Sequence, residues 1–99
     1  MKINKIFDGK DLTVEVEDRV DTITSQELEK ELNKELDNIT SLTLDFTKLE
    51  YISSAGLRVL IATQKKLKSK DVPLVIKNIN ETVNEIFGMS GFDKILTIE

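Results

Sequence analysis

The sequence predicts an α/β fold: a mixed, mainly parallel sheet of four to five strands, opened by an antiparallel hairpin and packed with three to four helices. Three observations predict it. Leu42, Leu44 and Phe46 alternate with Thr43 and Asp45, the period of two that lays one face of a strand on a core. From Leu57 onward the apolar residues fall instead at Leu60, Ile61 and Leu67, the stripe of a helix. Asp8-Gly9 separates two short strand-like runs, and glycine there supplies the positive φ that a tight hairpin turn needs. Strand and helix periods then alternate along the chain, which implies right-handed crossovers between parallel neighbours.

In order, Lys2 to Phe7 and Leu12 to Glu17 form the hairpin, with Leu12, Val14 and Val16 facing inward and Thr13, Glu15 and Glu17 outward. The first helix opens on Thr24 with Glu27 three residues on, the pattern of a capping box, and Ile23 and Leu28 occupy the flanking staple positions. Leu28, Leu32 and Leu36 make its apolar stripe, and Asn38 is placed to stop it. After the strand over 42–46, Thr47 to Ile52 reads as a loop whose Leu49, Tyr51 and Ile52 pin it to the core. The second helix runs to about Lys68. The run Leu74-Val75-Ile76 lacks alternation, as a strand covered on both faces would, with Pro73 tolerated near its start. Asn80 caps a third helix carrying Val83, Ile86 and Phe87, and Gly91 ends it. Gly88 inside that helix predicts close packing or an early end. Ile95 to Ile98 supplies a last short strand.

Composition narrows the function classes. The 99 residues make one domain with a single core, and 39% apolar with 32% charged residues suits a folded, water-facing protein. Neither an apolar leader nor a span of about 20 apolar residues occurs, so the reading is cytoplasmic, away from membranes. A formal charge of -4 speaks against nucleic acid, which demands clustered positive charge. Lys65, Lys66, Lys68 and Lys70 are the one basic cluster. They complement the negative end of the second helix or offer a contact for an acidic partner. Histidine, cysteine and tryptophan are absent, which removes the usual triads, the thiol nucleophile and the commonest metal ligand. Neither a phosphate-binding loop nor a nucleophile elbow is present. No enzyme and no cofactor is expected.

Attention therefore falls on Ser53-Ser54-Ala55-Gly56, where the strand period gives way to the helix period. The first N–H groups of a helix lack partners and carry partial positive charge, so a serine there caps the helix or, once phosphorylated, sits at an anion site. In a parallel sheet, function collects beyond the carboxyl ends of the strands. Asp21 follows the second strand and Ser54 the third, so both are expected at one end of the sheet.

Asp45, the run Ile52-Ser53-Ser54-Ala55-Gly56-Leu57 and the following Val59-Leu60 resemble the signature of the STAS domain, specifically the stand-alone bacterial anti-sigma factor antagonists. The resemblance spans nearly the whole chain. It takes in Val20-Asp21-Thr22 and the segment Phe87-Gly88-Met89-Ser90-Gly91-Phe92, with Ile95 and Ile98. It implies one STAS domain over residues 1–99 with a STAS-like sheet. It also implies a switch: the unmodified protein binds an anti-sigma factor that is a serine kinase and frees the sigma factor. Phosphorylation of the serine two residues before Gly-Leu, here Ser54, releases the complex, and a serine phosphatase resets it. Many members carry Asp where this chain has Ser53, so Ser53 is the second choice of acceptor. The implied partner surface comprises Asp21, Thr22, Ser53 and Ser54 with Ala55, Gly56 and Arg58, on a monomer or weak dimer. Asp21 either helps the kinase engage the serine or merely shapes the entry to the first helix. Gly56 is small either for an approaching partner or for the helix packed on its strand. Two other readings fit the same fold. One is an unphosphorylated STAS interaction module of a transporter or signalling assembly, the other a nucleotide-binding regulatory domain using the same helix start.

Overall fold

The computed structural model describes residues 1–99 and turns the alternating segments into one six-stranded sheet. The elements are β1 (Lys2–Asp8), β2 (Asp11–Val20), α1 (Thr24–Asn33), β3 (Ser41–Asp45), β4 (Leu49–Ile52), α2 (Ser54–Lys68), β5 (Leu74–Lys77), α3 (Glu81–Ser90) and β6 (Thr97–Ile98). A short 3₁₀ turn, Phe92–Lys94, precedes β6. The strands lie in the order β1-β2-β3-β5-β6, and β4 pairs with the far end of β2. Only β1 and β2 are antiparallel; every other pairing is parallel. No helix is long and apolar enough to cross a membrane.

The hairpin forms as the Asp8-Gly9 signal predicts, with Gly9 at φ +61° and Asp8 opposite Asp11. One sheet face is the core. Leu12, Val14 and Val16, then Leu42, Leu44 and Phe46, then Leu74 and Ile76 are all buried, beneath Leu28 and Leu32 of α1 and Leu60 and Leu67 of α2. At ~1.5 to 3 kcal/mol for each such side chain removed from water, this alternation is the main organising force.

Four local expectations need correction. Leu49–Ile52 is a strand, not a loop: Asp18 takes a bulge with φ +71°, and beyond it Arg19 pairs with Tyr51 and Val20 with Ile52. Parallel pairing there satisfies backbone groups that a loop would leave to water. β5 is covered on one face only, for Leu74 and Ile76 are buried while Val75 between them is half-buried. Helix α1 ends at Asn33, five residues before Asn38; the chain continues in single turns that still bury Leu36 and Ile39. Gly88 lies in a helix that runs on to Ser90, and a Cβ there would meet nothing closer than Asp93 at 3.9 Å, so neither expectation for it holds.

Candidate functional site

Two helices begin side by side at the carboxyl end of the sheet. Strand β2 ends at Val20 and β4 at Ile52; the Ser53 N–H donates to the Val20 carbonyl at 2.8 Å, which ties the two exits together. Asp21 leaves one strand where Ser53 and Ser54 leave its neighbour, at one end of the sheet as the topology requires. The serines follow β4, however, and not the strand that carries Asp45.

At α2, Ser53 has extended backbone (φ -83°, ψ 171°), and its hydroxyl accepts from the Gly56 N–H at 3.2 Å, the geometry of an N-cap. Ser54 is the first helical residue and exposed; its side chain makes no hydrogen bond within the chain. The first turn of α2 carries no acidic residue of its own to offset the positive helix end. Arg58, one turn on, is exposed, and Ala55 is half-buried. Gly56 differs from the other expected contact residues. It is buried, and a Cβ on it would lie 2.6 Å from Ile52 Cγ1 and 2.8 Å from Val20 Cγ1. Its smallness serves the helix resting on its strands, so it supports the site from beneath and offers no surface of its own.

At α1 the capping box does not form. Thr24 turns its hydroxyl back to accept from the Asp21 N–H at 2.8 Å, and Asp21 Oδ1 accepts from the N–H groups of Ile23 (3.0 Å) and Thr24 (2.8 Å). Asp21 thus caps the helix from outside it, and Ile23 is 80% exposed instead of stapling Leu28. The Thr24 N–H and hydroxyl, then the Ile23 N–H and the Arg19 charge, hold the Asp21 carboxyl below its usual range, so it is ionised at neutral pH. Thr22 stands exposed beside it.

Residues to which the sequence assigned no part in the partner surface also ring this end. Arg19 lies over the Tyr51 ring at 5.2 Å, a cation–π contact set by their pairing across β2 and β4. A shallow apolar depression is lined by Tyr51, Leu57, Ile86 and Met89, with Ser54 on its rim, and Met89 is 89% exposed. The expectation that Tyr51 pins a loop to the core fails, since it stands 38% exposed on β4; Met89 lies in the segment that carries the resemblance but has no expected contact. In the lysine cluster, Lys66 reaches Asn33 at the end of α1, and Lys70, just past α2, pairs with Asp37 in the turns that follow α1. No group of three or more His, Cys, Asp or Glu could hold a metal ion.

Comparison with known proteins gives concordant findings. The STAS domain family model matches residues 2–99. Over 80 residues the chain is 36% identical to BtrV of Bordetella bronchiseptica, a candidate anti-sigma factor antagonist, covering 80% of this chain and 69% of that one. The crystal structure of an anti-sigma factor antagonist from Mycobacterium paratuberculosis superposes with a TM-score of 0.89 at 22% identity, covering 98% of this chain and 83% of that one. The Bacillus cell fate determinant SpoIIAA in its phosphorylated form gives 0.78 at 12% identity, covering 99% and 91%. At these identities the two structures speak to the fold.

Proposed function

This chain belongs to the STAS domain family, and from that premise we propose that it is an anti-sigma factor antagonist whose partner binding is switched off by phosphorylation of Ser54. The observation that carries this reading is the division between adjacent hydroxyls. Ser53 is held by the Gly56 N–H, whereas Ser54 is exposed and free at a helix start. The naming of BtrV as a candidate antagonist supports the partner class.

The unmodified chain offers Asp21, Thr22, Ser54, Ala55 and Arg58 to an anti-sigma factor that is also a serine kinase, and the sigma factor is displaced. Within the complex, Ser54 Oγ attacks the γ-phosphorus of ATP; its proton passes to the kinase's base and ADP departs. The new phosphoryl group carries about -1.5 to -2 charges. The helix start stabilises it by about 0.3 to 1 kcal/mol, so the fold persists. Against a docked partner the balance reverses, because an uncompensated anion buried there, close to ionised Asp21, costs several kcal/mol, and each ~1.4 kcal/mol is a tenfold loss of affinity. Hydrolysis of the phosphoester by a serine phosphatase restores binding.

The test is incubation with the anti-sigma factor kinase of the same genome and ATP, read by intact mass and peptide mapping. One phosphoryl group on Ser54 is expected. Ser54→Ala binds the kinase and gains no mass, and Ser54→Asp binds at least about tenfold more weakly. If Ser54→Ala is phosphorylated as well as the parent, the acceptor lies elsewhere; if the parent binds but gains no mass, the unmodified module is the correct reading.

A further inference from the structure

The free edge of β1 has no part in the switch, yet residues equidistant from Lys5 complement one another, Lys2 with Asp8 and Ile3 with Phe7. No strand lies beyond β1. The two-residue turn Gly9-Lys10 makes Asp8 and Asp11 the closing hydrogen-bonded pair. Asp8, Ile6, Asn4 and Lys2 therefore turn their backbone groups toward β2, and Ile3, Lys5 and Phe7 turn theirs outward. Those outward groups form a template for another strand. Two of the molecule's few exposed large apolar side chains lie on this one strand, Ile6 at 47% and Phe7 at 53%. Lys2 and Asp8 sit at its two ends, both exposed and neither in an ion pair within the chain.

We propose that β1 is a self-association edge, pairing antiparallel with β1 of a second copy of this chain about a two-fold axis at Lys5. In that register the outward backbone groups of Ile3, Lys5 and Phe7 meet their own counterparts across the axis. Ile3 faces Phe7, Asn4 faces Ile6, and Lys2 faces Asp8 at each end, so unlike charges and apolar side chains are matched twice over. Every pair shares a sheet face, because both members lie an even number of residues from one another. A lysine at mid-edge ordinarily discourages pairing. Here Lys5 is drawn off the edge onto α1, with its ammonium 3.0 Å from Glu31 and 2.8 Å from Glu35 and its side chain only 19% exposed. Lys34, then Lys5, lowers the Glu31 carboxyl to about 2, so the clamp stays charged at neutral pH. The β3 and β4 pairings lie on the other side of β2, which leaves Ser54 outside this contact.

Sedimentation velocity over a concentration series tests the association, and single cysteines test the register, since the chain has no cysteine of its own. A hydrogen-bonded antiparallel pair sets its Cα atoms about 5.5 Å apart, within disulfide reach. The parent is expected to show a reversible monomer–dimer equilibrium, and oxidised Lys5→Cys to run as a covalent dimer while Asn4→Cys does not. Asp8→Lys sets lysine against lysine at both ends and should raise the dimer dissociation constant about tenfold, and the double variant Lys2→Asp/Asp8→Lys should restore it. A parent that stays monomeric at millimolar concentration overturns the proposal. So does cross-linking of Asn4→Cys as readily as Lys5→Cys, or a charge-swapped double variant no tighter than Asp8→Lys alone.

Discussion

The two helix starts at the carboxyl end of the sheet are neighbours built on opposite principles. At α1 the cap comes from outside the helix: Asp21 takes the Ile23 and Thr24 N–H groups, and Thr24 and Ser25 are spent on Asp21 and the Thr22 carbonyl. At α2 the cap is Ser53, next to the helix, and the following hydroxyl is left unengaged. The lesson is that hydroxyls near a helix start are not equivalent chemically. At α2 the capping bond engages one hydroxyl and leaves the next free, whereas at α1 Thr24 and Ser25 are both engaged.

Substitutions can break this contrast or sharpen it. The largest effect belongs to Gly56, because α2 alone depends on a missing side chain. Its backbone is ordinary for a helix, so Gly56→Ala gains ~1 kcal/mol of helix propensity, but the new methyl collides with β-branched Ile52 and Val20. A net loss of about 1 to 3 kcal/mol is expected, seen as a lower midpoint in urea. Next comes Ser53→Ala, which strips the α2 cap. About 1 kcal/mol should be lost, with earlier exchange of the Gly56 amide.

Asp21→Asn sharpens the comparison through pH. The folded Asp21 carboxyl titrates below its ordinary 3.8 because Thr24 and Ile23 bind its ionised form. Its stabilisation is therefore complete above that ordinary value and is lost as pH falls through the lowered one. Asn keeps an acceptor oxygen for the cap but carries no charge and binds no proton. Asp21→Asn should therefore be less stable than the parent at neutral pH, and the gap should close as pH falls through the lowered value, giving a less steep acid denaturation. The smallest effect is that of Ser54→Ala. With no bond to lose, its melting should fall within about 0.5 kcal/mol of the parent. A larger loss would mean that Ser54 holds the helix, and the contrast between the two starts would collapse.

Sequence alone disclosed most of the sheet, because Leu12, Val14, Val16, Leu42, Leu44 and Phe46 obey a period that only strands satisfy. It disclosed both ends of α3, where Asn80 accepts from the Val83 N–H at 2.8 Å and Gly91 takes φ +74°. It failed where tertiary contacts outvote local pattern. In β4 the buried residues are Leu49 and Ile52, three apart with two exposed residues between them, a spacing that does not read as a strand. Its existence rests on the exposed end of β2, which no local window contains. The box at Thr24 was a genuine motif beaten by a nearer competitor, since Asp21 brings an ionised acceptor to the Thr24 N–H that Glu27 would otherwise take. For the site, the serine pair was visible, but which hydroxyl is engaged depends on a 3.2 Å bond that spacing does not specify.

Strand β2 is long enough to carry two parallel partners in succession, β3 before the Asp18 bulge and β4 after it. A single ruler therefore sets the positions of both helix entrances. Extra residues between Phe46 and Leu49 would bulge into water as slack and leave the entrances where they are. One residue inserted between Asp18 and Val20 would instead turn Val20 out of the core and carry Asp21 away from Ser53, uncoupling two sites that today cannot move apart.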